Sequence, residues 1–198
     1  MFEFSIGGVC CRLSLLFPAL LTALLLWQPD GLAVSCVLAS VIHECGHLLA
    51  MLAVGVPPDR CTLSAFGACI RMGSRLPGYR QNMLISLAGP LANLLAAACL
   101  LLLGCQQTAA VHLVLAVLNL LPASALDGGE LLRCGLCLLG MESLAAGVLR
   151  FTSTSVLLPL AAGALWLFLR GGGNLSLLLV SGYLVGLIFF CEKNEKTS

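Results

Sequence analysis

The ten residues "VIHECGHLLA", 41–50, set two of the chain's three histidines and one glutamate inside a run that is otherwise apolar. Positions four apart share one face of a helix with 3.6 residues per turn, so His43 and His47 can turn both imidazoles toward a single ion while Glu44 stands beside them. That spacing is the His-Glu-x-x-His arrangement of a hydrolytic zinc site. A catalytic zinc takes three protein ligands and keeps one position open for a water, which it acidifies while polarising a carbonyl. Glu44 is then the base that takes the water's proton and hands it to a leaving amine. The plain structural reading, two hydrogen-bonding histidines and a stray glutamate, buries three ionisable groups with no stated compensation.

The elements that position these residues are membrane helices. The chain has 198 residues, of which 60% are hydrophobic and only 10% charged, which excludes a water-soluble domain with a charged surface. Six apolar stretches are long enough, or nearly so, to cross a core that needs about 20 helical residues. They run over 12–28, 32–54, 82–104, 108–126, 153–169 and 174–191, the fourth being the least regular. The expected fold is an all-α polytopic membrane protein, a single membrane-embedded domain over residues 1–198 that carries the hydrolytic zinc site. Arg12 before an apolar run resembles a signal peptide, but no small-residue cleavage site precedes "WQPDG", so a retained first helix is expected.

Positive charge sets the orientation. With the N-terminus cytoplasmic, Arg12, Arg60, Arg71, Arg75, Arg80, Arg133, Arg150, Lys193 and Lys196 lie inside and Arg170 alone lies outside. Both termini are therefore expected in the cytoplasm, with the lipid bilayer as the main partner. A net charge of +1 gives no hint of nucleic-acid binding.

In this orientation the stretch carrying His47 runs inward, to the cytoplasmic half. Asp127 is the only acid between Asp59 and Glu130, and it follows a span broken by Asn119, Pro122 and the Gly128–Gly129 pair. An ionisable group at a broken membrane helix marks a site by default. Its depth matches that of His47, whereas His112 lies near the outer start of the fourth span. Asp127 is thus selected over His112 as the third ligand of one zinc per chain, with Glu130 as a rival.

Between the second and third spans, Pro57, Pro58, Gly67, Gly73, Pro77 and Gly78 break any helix. The segment "CTLSAFGACIR", 61–71, reads as a short re-entrant turn or β-hairpin at the membrane edge, and its Phe66 and Gly67 are expected to hold an extended substrate segment by strand pairing. The third span contains "SLAGPLANLL", in which Asn93 suits either an interhelical hydrogen bond or a direct role toward substrate. Residues 131–150 are apolar but carry Arg133, Glu142 and Arg150, so an interfacial helix is expected there. The 11 cysteines are scattered, and Cys134 and Cys137 form a lone CxxC that is read as packing.

"HECGH" at 43–47, "AGPLAN" at 88–93 and "NLLPASALDGG" at 119–129 together resemble the site-2 proteases, membrane-embedded zinc metalloproteases of regulated intramembrane proteolysis. The resemblance implies His43, His47 and Asp127 as zinc ligands, Glu44 as catalytic base and Asn119 as a residue holding substrate near the metal. It implies a membrane-tethered regulatory protein as substrate, a membrane regulatory partner, and a multi-pass protein of the bacterial cytoplasmic membrane. Size and the early His-Glu-x-x-His look most like the sporulation branch, the stage IV sporulation protein FB type, which releases a sigma factor from a tethered precursor. Members of that branch commonly carry a soluble cystathionine-beta-synthase-type domain after the last helix, whereas only a short tail follows Cys191 here, and no PDZ domain separates the spans.

Two other classes compete. Another His-Glu-x-x-His membrane protease would take its third ligand from a downstream glutamate, Glu130 or Glu142. A non-enzymatic chain would be an inactive relative that binds membrane partners as a chaperone, or a metal transporter, which would line a polar path, yet the outer halves of these spans offer little beyond Gln106, Gln107 and His112.

Overall fold

The computed structural model describes residues 2–6, 9–13, 31–64, 67–72 and 76–172, together with Gly182. The chain forms two compact units, Met1–Val117 and Leu118–Ser198.

In the first unit, strands β1 (Phe2–Ile6), β2 (Val9–Leu13), β3 (Pro58–Ser64) and β4 (Gly67–Met72) form one sheet in the order β1-β2-β3-β4. β1 and β2 are antiparallel, β2 and β3 parallel with Cys11 opposite Cys61, and β3 and β4 antiparallel with Cys61 opposite Ile70. An irregularity between Pro58 and Arg60 opens the β3–β4 pairing, where a proline cannot donate to the ladder. The strands are an addition to the helical expectation, because "FEFSI" and "VCCRL" are too short and too mixed to stand out beside 20-residue apolar runs. Arg12 and Leu13 belong to β2, so a helix cannot begin at 12, and residues 14–28 of the expected first span lie outside the described residues.

Helix α1 (Leu32–Ala53) carries the two histidines. It ends where Gly55, at φ 72°, lets the chain reverse: Gly55 N donates to Leu52 O and Val56 N to Met51 O at 3.0 Å, and the apolar side chains of Val56 and Met51 are buried beside this turn. Helix α2 (Tyr79–Leu102) closes in the same way at Gly104, with Cys105 N on Leu100 O. Gln81 ties the two helices at the connection, since its Oε1 accepts from Gly78 N at 3.0 Å and its Nε2 donates to Val54 O at 3.2 Å. Helix α3 (Gln106–Asn119) joins them through Thr108, whose hydroxyl lies 3.3 Å from that of Ser35.

Small residues fill the interior: Ala33, Ala39, Ala97, Ala109 and Ala116 are buried, while Leu49, Leu52, Leu95 and Leu102 are exposed. Backbones that approach closely inside, and leucines turned outward, are the pattern of helices packed in lipid. Gly46 shows how close the approach is, because a Cβ there would stand 2.6 Å from Ala88 O and 2.9 Å from Ala92 Cβ.

In the second unit, residues 120–126 are not helical. The expected fourth span over 108–126 is therefore corrected to a helix ending at Asn119, because Pro122 cannot continue it and the chain turns through Leu121 N on Leu118 O and Leu126 N on Ala123 O. Ser153 Oγ holds this turn by accepting from Ser124 N at 2.8 Å. Helix α4 (Asp127–Leu138) starts with two glycines pressed on that turn: a Cβ at Gly128 would collide with Leu120 O, and one at Gly129 with Ala123 O. Helix α5 (Glu142–Leu167) packs on α4 and continues into a π-helical turn, Phe168–Gly172.

The interfacial helix expected over 131–150 is likewise corrected. It is the end of α4, a turn at Gly140, and the start of α5, so the fifth span begins 11 residues earlier than 153, at Glu142. Arg170 lies over the Trp166 ring at 4.2 Å, a pairing suited to a membrane–water boundary. Among the described residues, three helices are long and apolar enough to cross a membrane: Leu32–Ala53, Tyr79–Leu102 and Glu142–Arg170. Except for Gly182, the expected sixth span at 174–191 lies outside the described residues.

Candidate metal centre

His43 and His47 stand one turn apart on α1, His43 buried at 6% exposure and His47 half-buried. Their Nε2 atoms are 3.1 Å apart, with the rings edge to face at 87°. Two nitrogens bound at about 2.0–2.1 Å to a tetrahedral ion lie about 3.3 Å from each other, so this pair has the bite of a zinc-binding histidine pair.

The other nitrogen of each ring is held from α2. His47 Nδ1 lies 2.7 Å from Ile85 O. A carbonyl only accepts, so the proton sits on Nδ1 and a neutral ring leaves its lone pair on Nε2, facing His43. His43 Nδ1 meets the Asn93 side-chain amide, with Nδ2 at 3.3 Å, and the other end of that amide, Oδ1, is 3.0 Å from His112 Nδ1. Asn93 is fully buried at 0% exposure and His112 nearly so at 1%. Gly89 leaves the space in front of the imidazoles open, because a Cβ there would collide with His47 Nε2 and stand 2.9 Å from His43 Cε1.

Glu44 is half-buried on the same helix, one residue from His43. In the second unit Asn119 ends α3 and Asp127 opens α4, both half-buried. A carboxylate in the first turn of a helix is favoured by the helix dipole. Glu130, the rival ligand, is engaged elsewhere: its Oε2 accepts from Arg133 Nε at 2.8 Å, its Oε1 from Arg133 Nη2, and Cys134 Sγ donates to Oε1 at 3.4 Å. This forked pair raises the Arg133 pKa, chiefly through the hydrogen bond to Glu130. Phe66 lies outside the described residues, and Gly67 is the first residue of β4.

Asn93, expected to make an interhelical hydrogen bond or to act toward substrate, meets an imidazole at each end of its amide in a buried position. His112 was set apart by depth, yet it is the seventh residue of α3, about 9 Å along the axis, deep enough to meet the middle of α2. The readable signal was composition: all three histidines, and an asparagine in an apolar helix, belong to one network.

The solved structure of the Site-2 Protease from Methanocaldococcus jannaschii matches with a TM-score of 0.61 over 92% of this chain and 92% of that one, at 22% identity. The likeness to that chain is one of fold. The model of Peptidase family M50 matches residues 31–112, a range that contains His43, Glu44, His47, Asn93 and His112 and stops short of Asn119 and Asp127. Among curated proteins, "Putative zinc metalloprotease sll0528" of Synechocystis sp. is 32% identical over 127 residues, 58% of this chain and 31% of the relative. "Putative zinc metalloprotease Rip3" of Mycobacterium tuberculosis is 29% identical over 185 residues, 84% of this chain and 46% of the relative. The chain thus spans less than half the length of these curated relatives. Family model, relatives and solved structure agree in what the chain is similar to, peptidase family M50 and the site-2 proteases.

Proposed function

We propose that the chain is an intramembrane zinc metalloprotease that hydrolyses a peptide bond in or near the membrane segment of a membrane-tethered protein. The observation that carries this reading is the histidine pair, two Nε2 atoms 3.1 Å apart with the His47 ring fixed by Ile85 O in the tautomer that turns the Nε2 lone pair toward His43. In this reading His43, His47 and Asp127 would hold the ion, each giving one ligand atom. Asp127 is preferred to Glu130 because the carboxylate of Glu130 is occupied by Arg133. Zinc, when bound, supplies Lewis acidity toward a water and toward the scissile carbonyl.

Glu44 accepts the proton of the attacking water and delivers it to the departing amine. Asn119 binds substrate beside the ligands. A peptide bond in a membrane helix has its polar groups already satisfied, so the substrate must unwind before attack. β4 lies at one edge of the sheet, and the β3–β4 segment with Phe66 and Gly67, read as a hairpin, offers that edge to the unwound strand. Residues 1–198 act in this reading as one protease domain with six spans, both termini cytoplasmic, in a bacterial membrane. A pro-sigma factor, as in the sporulation branch, is the type of substrate proposed, with a membrane partner governing access.

The test compares membrane proteins in cells carrying the natural chain and the Glu44→Gln variant. A membrane-tethered protein that accumulates uncut in the variant, and is cut when Glu44 is restored, is the expected outcome. Identical cleavage patterns in the two cells would refute the function.

A further inference from the structure

From the buried chain of contacts His43 Nδ1–Asn93–His112 Nδ1, we infer that His112 is a positioning residue for the metal site, acting through Asn93 to hold the His43 imidazole in its metal-binding tautomer. The inference rests on His43 being a zinc ligand. With Nε2 given to the metal, the ring's proton is on Nδ1, and a donor there requires an acceptor. A carboxamide offers an oxygen at one end and an NH2 at the other in nearly the same shape, so its pocket admits it in either sense. In this structure the amide turns Nδ2 to His43 and Oδ1 to His112; toward metal-bound His43 it must present the oxygen, the reverse of that sense. The NH2 is then left pointing at His112, where a neutral imidazole accepts it on Nδ1.

Asn93 at 0% and His112 at 1% exposure are closed to bulk solvent, so bulk water does not replace a missing partner. An apolar residue at 112 would leave the amide NH2 unsatisfied in the buried sense that His43 needs, and would favour the opposite sense, with NH2 against His43. Asn93 therefore fixes the ligand, and His112 fixes Asn93.

The test uses the purified full chain in detergent, with zinc affinity measured by chelator competition and the ligand-field spectrum of the cobalt(II)-loaded protein as a readout of the coordination itself. His112→Leu and Asn93→Leu are each expected to weaken zinc binding by about 10- to 100-fold and to shift the cobalt bands. His112→Asn, whose Oδ1 falls near the position of Nδ1, should recover most of the affinity. The double variant Asn93→Leu/His112→Leu should bind no more weakly than Asn93→Leu alone, because the second residue works only through the first. Natural affinity and spectrum in His112→Leu would overturn the inference. So would losses that add in the double variant, or a His112→Asn protein no better than His112→Leu, which would reduce His112 to packing. His43→Ala separates the two levels: if it binds zinc as tightly as the natural chain, the ligand assignment falls, whereas loss in His43→Ala with none in His112→Leu overturns the positioning role alone.

Discussion

His47 Nδ1 and the carbonyl oxygen of Ile85 lie 2.7 Å apart, tying an imidazole of α1 to the main chain of α2. The ring cannot swing without losing that bond, so the histidine pair is only as well placed as the two helices are close. Gly46 sets the closeness, and Gly89 keeps a side chain from filling the space it creates.

Gly89→Ala is expected to cost zinc affinity about 10-fold or more, because its Cβ would collide with His47 Nε2 and crowd His43 Cε1. The change adds one methyl to a helix and raises intrinsic helix propensity, so the fold should persist. Chelator competition on the purified variant checks this, and unchanged affinity would show that the imidazoles do not meet at the face of Gly89.

Gly46→Val should destabilise the α1–α2 pair by about 1–3 kcal/mol through overpacking against Ala88 and Ala92. Gly147→Ala in α5, where a Cβ meets nothing within 4 Å, should instead be neutral or stabilising by up to about 1 kcal/mol. Unfolding in mixed micelles compares the two. Equal effects would mean that the close approach at Gly46 is not a feature of the folded protein.

Much of this was legible in the sequence. The spacing of His43 and His47 announced their shared face, and long apolar runs announced α1 and α2 to within a few residues. The end of α3 was misread, since a hydrophobic count does not register that Pro122 and the close-packed Gly128–Gly129 pair force a turn inside an apolar segment. The strands β1 and β2 were missed because pairing is a non-local property: Cys11 opposite Cys61 joins residues 50 apart, and nothing in either pentapeptide names its partner. The link from His112 to His43 was hidden for the same reason, as it passes through Asn93 on a third helix.

Gly67→Pro, at the start of β4, should lower cleavage of a membrane-tethered substrate several-fold while leaving zinc content unchanged, since proline removes a backbone donor from a strand at the sheet's edge. Cleavage and metal content are measured on the same preparation. Natural rates in this variant would make the β3–β4 segment a structural cap and not a substrate platform.

The most direct measurement is zinc per chain in purified Glu44→Gln and Asp127→Ala proteins, read beside turnover of a substrate that the natural chain cuts. Glu44→Gln should retain one zinc and lose nearly all turnover, because it removes the base and no ligand, and Asp127→Ala should lose both zinc and turnover. Full turnover in Glu44→Gln, or undisturbed zinc in Asp127→Ala together with its loss in Glu130→Ala, would contradict the account.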